Sequence, residues 1–345
     1  MQNLTAATRE LFRRSPDEIC ESLDALYQRC LADRERSSDH WHSPREILPK
    51  AVDGRLDLEI GSSGLLRLND WSFSQLCKLA SVSKDTLNRL SPQTAARALE
   101  ETLPVGEKPL QLLRSGPMVR SIHGASYTRL HNIDLLNVVR EFATDFQPPQ
   151  KSKFGGGTGL YCGEQDMFVF LIDPLGWAEI EGEPFAPGFF LWNTEVGRRS
   201  VGIQTFWFQK VCANHIVWDA VEVVDFSRKH TANVHECLSE IRRHIERLTE
   251  KRDERRDGFA RTMANAFRLK LGDKADDVAK LLTKHGIPRD LGNKALRLAE
   301  EAGQFTVFTV VDALTRIAGE YQFAGDRVEI DAKAGSLMAL AAQGV

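Results

Sequence analysis

Little in this sequence names a reaction. Its six cysteines, Cys20, Cys30, Cys77, Cys162, Cys212 and Cys237, are scattered without a Cys-x-x-Cys pair, and the amino terminus carries no apolar stretch of the kind that directs secretion. A reducing, cytoplasmic setting is the expectation. No run approaches the roughly 18 consecutive apolar residues of a membrane helix, so a soluble chain with no membrane partner is expected. Charge of one sign is also missing: 45 basic against 48 acidic residues leave a net charge of -3. That balance excludes a dedicated polyanion-binding composition and confines any nucleic-acid surface to a local patch. The glycine run GGGTG at 155–159 has no Walker A lysine and leads into strand-like rather than helical sequence. Nucleotide hydrolysis and a bound cofactor are therefore not indicated.

What is present is apolar residue in quantity, 42% of 345 positions, enough for a sizeable core. The densest stretch is 189–224, where two aromatic and β-branched runs flank a polar turn at 193–199, the pattern of a β-hairpin. Val201, Ile203, Thr205 and Trp207 fall on one face of its second strand and Phe206 and Phe208 on the other, which predicts a central strand covered on both sides. Further strands are read at 119–129, 159–162, 167–172, 178–183 and 189–192. Their short connections favour antiparallel pairing.

Around this sheet the spacing predicts helices. An amphipathic helix fits 3–33, broken near Pro16, followed by a polar linker containing Asp39, His40, Trp41 and His42. A short hairpin at 56–68 precedes three helices at 71–80, 84–90 and 93–103, with Asn69 and Ser91 as N-terminal caps. From 234 to 256 Leu238, Ile241, Ile245 and Leu248 form one stripe among charges of both signs, the pattern of a long helix packed on the sheet. The same stripe would suit a coiled-coil seam, and with it a homo-oligomer. Shorter helices are read at 276–284, 293–302 and 305–317. The expected fold is α+β: a curved, mostly antiparallel sheet from 119 to 224, a long packing helix and flanking helical units. Its segments are 1–55 (helix and linker), 56–110 (hairpin and helices), 111–230 (sheet) and 231–345 (helices), packed as one globular unit.

Three kinds of site can be drawn. Arg120, Tyr127, Arg129, Lys151, Lys153, Arg198, Arg199 and Lys210 combine fixed positive charge with an aromatic face, as single-stranded nucleic acid requires for backbone neutralisation and base stacking. The ordinary alternative is that the arginines pair with carboxylates and the turn charges stay solvated. Cys212 and His215, with His230, His235 and Cys237 downstream, supply half of a structural-zinc pattern, and Cys212 beside His215 or His123 supplies a candidate thiolate nucleophile. A cysteine in an apolar strand, however, commonly packs as a small hydrophobe. The acids Asp173, Glu179, Glu181, Glu195, Asp219 and Glu222 show no spacing diagnostic of two-metal chemistry.

Three segments, ASYTRLHNIDLL at 125–136, LWNTEVGRRSVGIQTFWFQKVCANHIV at 191–217 and FTVFTVVDALTRI at 305–317, occur in an order that resembles the phage/plasmid-like protein family, a domain of unknown function. The likeness spans about 56–321 as motif order. His215 stands after Asn214 where that family usually has glycine, and Tyr127 lacks the family's preceding arginine and aspartate. The resemblance implies a setting in mobile genetic elements and a role near DNA, with no reaction attached. The leading expectation is a non-catalytic DNA-associated protein, binding or annealing single strands. The alternatives are an enzyme with a Cys/His or metal-centred site and a structural or partner-binding protein.

Overall fold

The computed structural model describes residues 16–149, 158–210, 215–219, 225–301 and 303–320, together with 337, 340 and 341. Helix α1 (Leu23–Arg36) leads into strand β1 (Ser37–His42), and β2 (Ile47–Val52), β3 (Arg55–Ile60) and β4 (Gly64–Leu68) follow. Three helices come next: α2 (Asp70–Leu79), α3 (Lys84–Asn88) and α4 (Pro92–Thr102). The side chains of Asn69, Ser83 and Ser91 each accept from a backbone N–H of the first turn, which fixes where each helix begins. Strands β5 (Leu110–Ser115) and β6 (Met118–Gly124) return to complete a six-stranded sheet of order β1-β5-β6-β4-β3-β2. Its pairings are antiparallel except β4 with β6.

After α5 (Asn132–Phe142), a second sheet is built from β7 (Leu160–Cys162), β8 (Met167–Ile172), β9 (Ala178–Ile180), β10 (Glu183–Asn193), β11 (Val201–Lys210), β12 (His215–Asp219) and β13 (Asp225–Arg228). Its order is β12-β11-β10-β8-β7, with β13 on β11 and β9 on β10, all antiparallel. The remainder is helical: α6 (Glu236–Glu250), α7 (Arg252–Arg268), α8 (Ala275–Lys284), α9 (Arg289–Glu301) and α10 (Val307–Glu320).

The fold is thus α+β with mostly antiparallel sheets, and the hairpin across 193–199 forms as its sequence predicts, pairing Leu191 with Ile203. The faces of β11 divide as its alternation requires. Val201 and Ile203 enter a core with Leu26, Leu136, Ile241 and Ile245 from α1, α5 and α6. Farther along that face Trp207 stacks on Phe259 of α7, ring centroids 4.0 Å apart, in the core of the C-terminal helices. Phe206 and Phe208 join Tyr161, Phe168, Phe170 and Phe190 on the opposite face.

Four expectations need correction. The 119–124 strand belongs to the first sheet, so the single sheet expected from 119 to 224 is two sheets. Residues 37–42 are not linker: SSDHWH borrows its apolar partners from β5, and Trp41 stays 48% exposed. The boundary set at 55/56 falls in the β2–β3 hairpin. The long helix ends at Glu250 and restarts at Arg252, and Ile241 and Ile245 are fully buried within the chain, so the stripe that a coiled-coil seam would use is already covered.

Candidate functional site

The turn 193–199 projects from the second sheet into a socket made by the first. The socket's donors come from α2, β6 and the chain leading into α5. Trp71 Nε1 donates to the Val196 carbonyl at 2.8 Å and His123 Nε2 contacts the same oxygen at 3.0 Å. A carbonyl only accepts, so His123 carries its proton on Nε2. The Glu195 carbonyl accepts from Tyr127 Oη at 2.8 Å and from Arg129 Nη1. Four side-chain donors therefore saturate two consecutive carbonyls.

The Glu195 carboxylate is anchored as closely. It is 2% exposed, accepts from the Asn132 backbone N–H at 2.8 Å, and lies 3.2 Å from Arg120 and 3.6 Å from His131. Burial works to raise its pKa, but the adjoining His131 imidazole, the Arg120 charge and the Asn132 amide outweigh burial and hold it at about 2. Arg129, itself buried, forks onto Asp39 of β1, with Nε 3.0 Å and Nη2 2.8 Å from Oδ1. The Asn193 amide donates to the Leu130 carbonyl and the Asn132 side chain, both at 2.9 Å.

Aromatic rings line the socket. His123 and Tyr127 stack with centroids 3.7 Å apart and planes within 8°, and His230 also stacks on Tyr127, centroids 5.3 Å apart. Gly197 sits against this stack with φ +72°; a Cβ there would come within 2.4 Å of His123 Cε1. Glycine is required on both counts. Burial, reinforced by the Arg129 charge, pushes His123 down to about 3. His230 falls to about 4, mainly through burial. Burial pushes the Tyr127 phenol upward. These groups are held neutral, and the Tyr127 proton is committed to a carbonyl. Chemically, the arrangement captures a peptide turn.

Arg120, Tyr127 and Arg129 are therefore brought together, but facing inward and neutralised by Glu195 and Asp39. Arg198 and Arg199 lie on the opposite side of the turn, 3.6 and 3.9 Å from Asp166, with Arg199 5.2 Å from the Phe168 ring centroid. Lys151, Lys153 and Cys212, and the side chains of Lys210 and His215, lie outside the described residues. Among the described residues the predicted cations do not form one exposed strip. His230 belongs to the ring stack, His235 is exposed before α6, and Cys237 is buried in the apolar core beneath that helix, its thiol pushed up to about 12. No three metal-binding side chains converge among the described residues.

A different surface gathers cations outward. Helices α8 and α9 are joined by four residues, His285 to Pro288, in a Schellman turn: Gly286 N donates to Thr283 O and Ile287 N to Leu282 O, both at 3.0 Å, with Gly286 at φ +74°. Ile287 plugs the corner, and Leu291, Ala295, Leu296 and Ala299 bury the inner face of α9. The outer face presents Arg289, Asn293, Lys294 and Arg297, with Lys284 at the end of α8 beside the turn. All five are exposed, and none of the four cations forms an ion pair among the described residues. Asp290 shares this face, whereas Glu300 and Glu301 are confined to its far end. Overall charge balance hides the cluster from composition; the two amphipathic runs around HGIP, with cations on their polar side, were the legible signal.

No family model, curated protein or solved structure matches the chain.

Proposed function

We propose that this protein associates with nucleic acid without catalysing a reaction on it, through the outer face of α8 and α9. The observation that carries the reading is the quartet Lys284, Arg289, Lys294 and Arg297, exposed and free of carboxylate partners. Unpaired cations on one face are available for phosphate neutralisation and counterion release, whereas Arg120 and Arg129 spend their charge on Glu195 and Asp39. The motif resemblance to proteins of mobile elements agrees with this assignment.

The test is fluorescence anisotropy of labelled duplex and single-stranded oligonucleotides at low and moderate salt. Micromolar binding is expected, with log affinity falling against log salt at a slope of about -3 to -4 for four neutralised phosphates on a duplex. Arg289→Gln/Lys294→Gln/Arg297→Gln should weaken it at least about tenfold, and Arg198→Gln/Arg199→Gln should leave it unchanged. Binding unaffected by the triple substitution, or absent from both probes, would refute the assignment.

A further inference from the structure

Resting on that reading, we infer that the bound form is duplex DNA and that α9 enters its major groove as the second helix of a helix-turn-helix. The two helices are joined by a four-residue turn with glycine in the left-handed conformation, the connection such units use. Gly292 on the inner face of α9 faces Leu282 of α8, and a Cβ built there would lie in ordinary contact with it, 3.5 Å from Cδ1. The pair is rigidly backed by α10 through Val307, Val310, Val311 and Leu314, so α9 is held with its polar face outward.

The side chains on that face distinguish the partner. Arg289, Asn293 and Arg297 follow one another at steps of four, a ridge about 12 Å long and the span of three to four base-pair steps. Arg and Asn are the residues that read guanine and adenine edges in the major groove. Lys294 on the same helix and Lys284 at the end of α8, before the turn, are point charges suited to phosphates. These contacts run from the first residue of α9 into its third turn, with Arg289 and Asn293 in the N-terminal part of the helix that meets bases, while Glu300 and Glu301 at its far end would be kept off the backbone. Single-stranded nucleic acid is a poorer fit, because neither α8 nor α9 carries a Phe, Tyr or Trp on which a base could stack. Double-stranded RNA is poorer still, since its deep and narrow major groove does not admit a helix.

The experiment uses the full chain with three probes: a randomised DNA duplex of about 20 base pairs, two helical turns, one of its single strands, and a duplex RNA of the same length. Duplex DNA should bind at least tenfold tighter than either other probe. Lys294→Gln should reduce the salt slope by about one. Asn293→Ala should keep that slope and lose preference at one position among sequences selected from the random pool. Circular dichroism of each variant should match the parent. Equal or tighter binding of single strand or duplex RNA, still abolished by the triple substitution at 289, 294 and 297, would overturn the duplex assignment and leave nucleic-acid association standing. An unchanged sequence preference in Asn293→Ala would overturn groove reading. Absence of binding to every probe would overturn both.

Discussion

Arg120 and Arg129 at the socket and Arg289 and Arg297 on α9 are the same side chain with opposite uses. In the first pair Arg129 is buried and Arg120 partly so, each arginine held by a carboxylate brought from another strand or turn, and the charge is consumed in fixing the 193–199 turn against the first sheet. The second pair stands exposed on a helix whose other face supplies the packing. In the socket the arginine acts as geometry, through its fork and its fixed charge in a low-dielectric site. On α9 it acts as field. A charge becomes a binding determinant only where the fold leaves it unpaired.

The comparison predicts stability effects at the socket and almost none at α9. Glu195→Ala leaves the largely enclosed Arg120 without its counterion, and a loss of about 3–5 kcal/mol is expected from breaking one side of a buried pair. Urea denaturation at neutral pH measures it; a loss below about 1 kcal/mol, the range of exposed pairs, would mean that the socket is not a desolvated site.

Acid should open the same region. His123 and His230 are held at about 3 and about 4, below the ordinary 6.5 that the unfolded chain would show. Between those values the unfolded state binds more protons, so stability rises with pH from about 3 to about 6.5 and levels off above, by about 1 kcal/mol or more per pH unit at the steepest part. Glu195, depressed from 4.5 to about 2, adds stability that is complete above about 4.5 and lost as pH falls toward 2, in the same direction. Denaturation midpoints across pH 3–8 give the slope, which His230→Phe should flatten while keeping a ring on Tyr127.

Gly197→Ala comes next, at about 2 kcal/mol or more, because the added methyl meets both a positive φ and the His123 ring. Tyr127→Phe removes one hydrogen bond to the Glu195 carbonyl and should cost about 1 kcal/mol. Arg297→Gln on α9 should stay within about 0.5 kcal/mol of the parent. A larger cost there would erase the distinction between the two regions.

Periodicity made much of the fold legible. The α2–α4 caps, the β10–β11 hairpin, the division of β11 between Ile203 and Phe206 faces, and the stripe through Ile241 and Ile245 all follow from spacing. Strand β1 was hidden because its apolar contacts come from β5, 68 or more positions downstream in every pairing, and not from its own alternation. The division into two sheets was hidden for a related reason: β6 reads as a strand, but nothing local says which sheet receives it. The site residues were found and misassigned together. Arg120, Tyr127 and Arg129 do cluster around the 193–199 turn, yet the carboxylates that neutralise them come from far along the chain, Glu195 from 75 positions after Arg120 and Asp39 from 90 positions before Arg129, in elements the pattern could not order. Residue type indicates charge; only the fold decides whether that charge reaches solvent.

Hydrogen–deuterium exchange of the full chain, with and without saturating DNA duplex, compares both regions in one measurement. The predicted outcome is new protection over 284–298 and unchanged exchange over 193–199. Protection concentrated at the turn, with α9 unaffected, would contradict the assignment of structural and binding roles to the two arginine clusters.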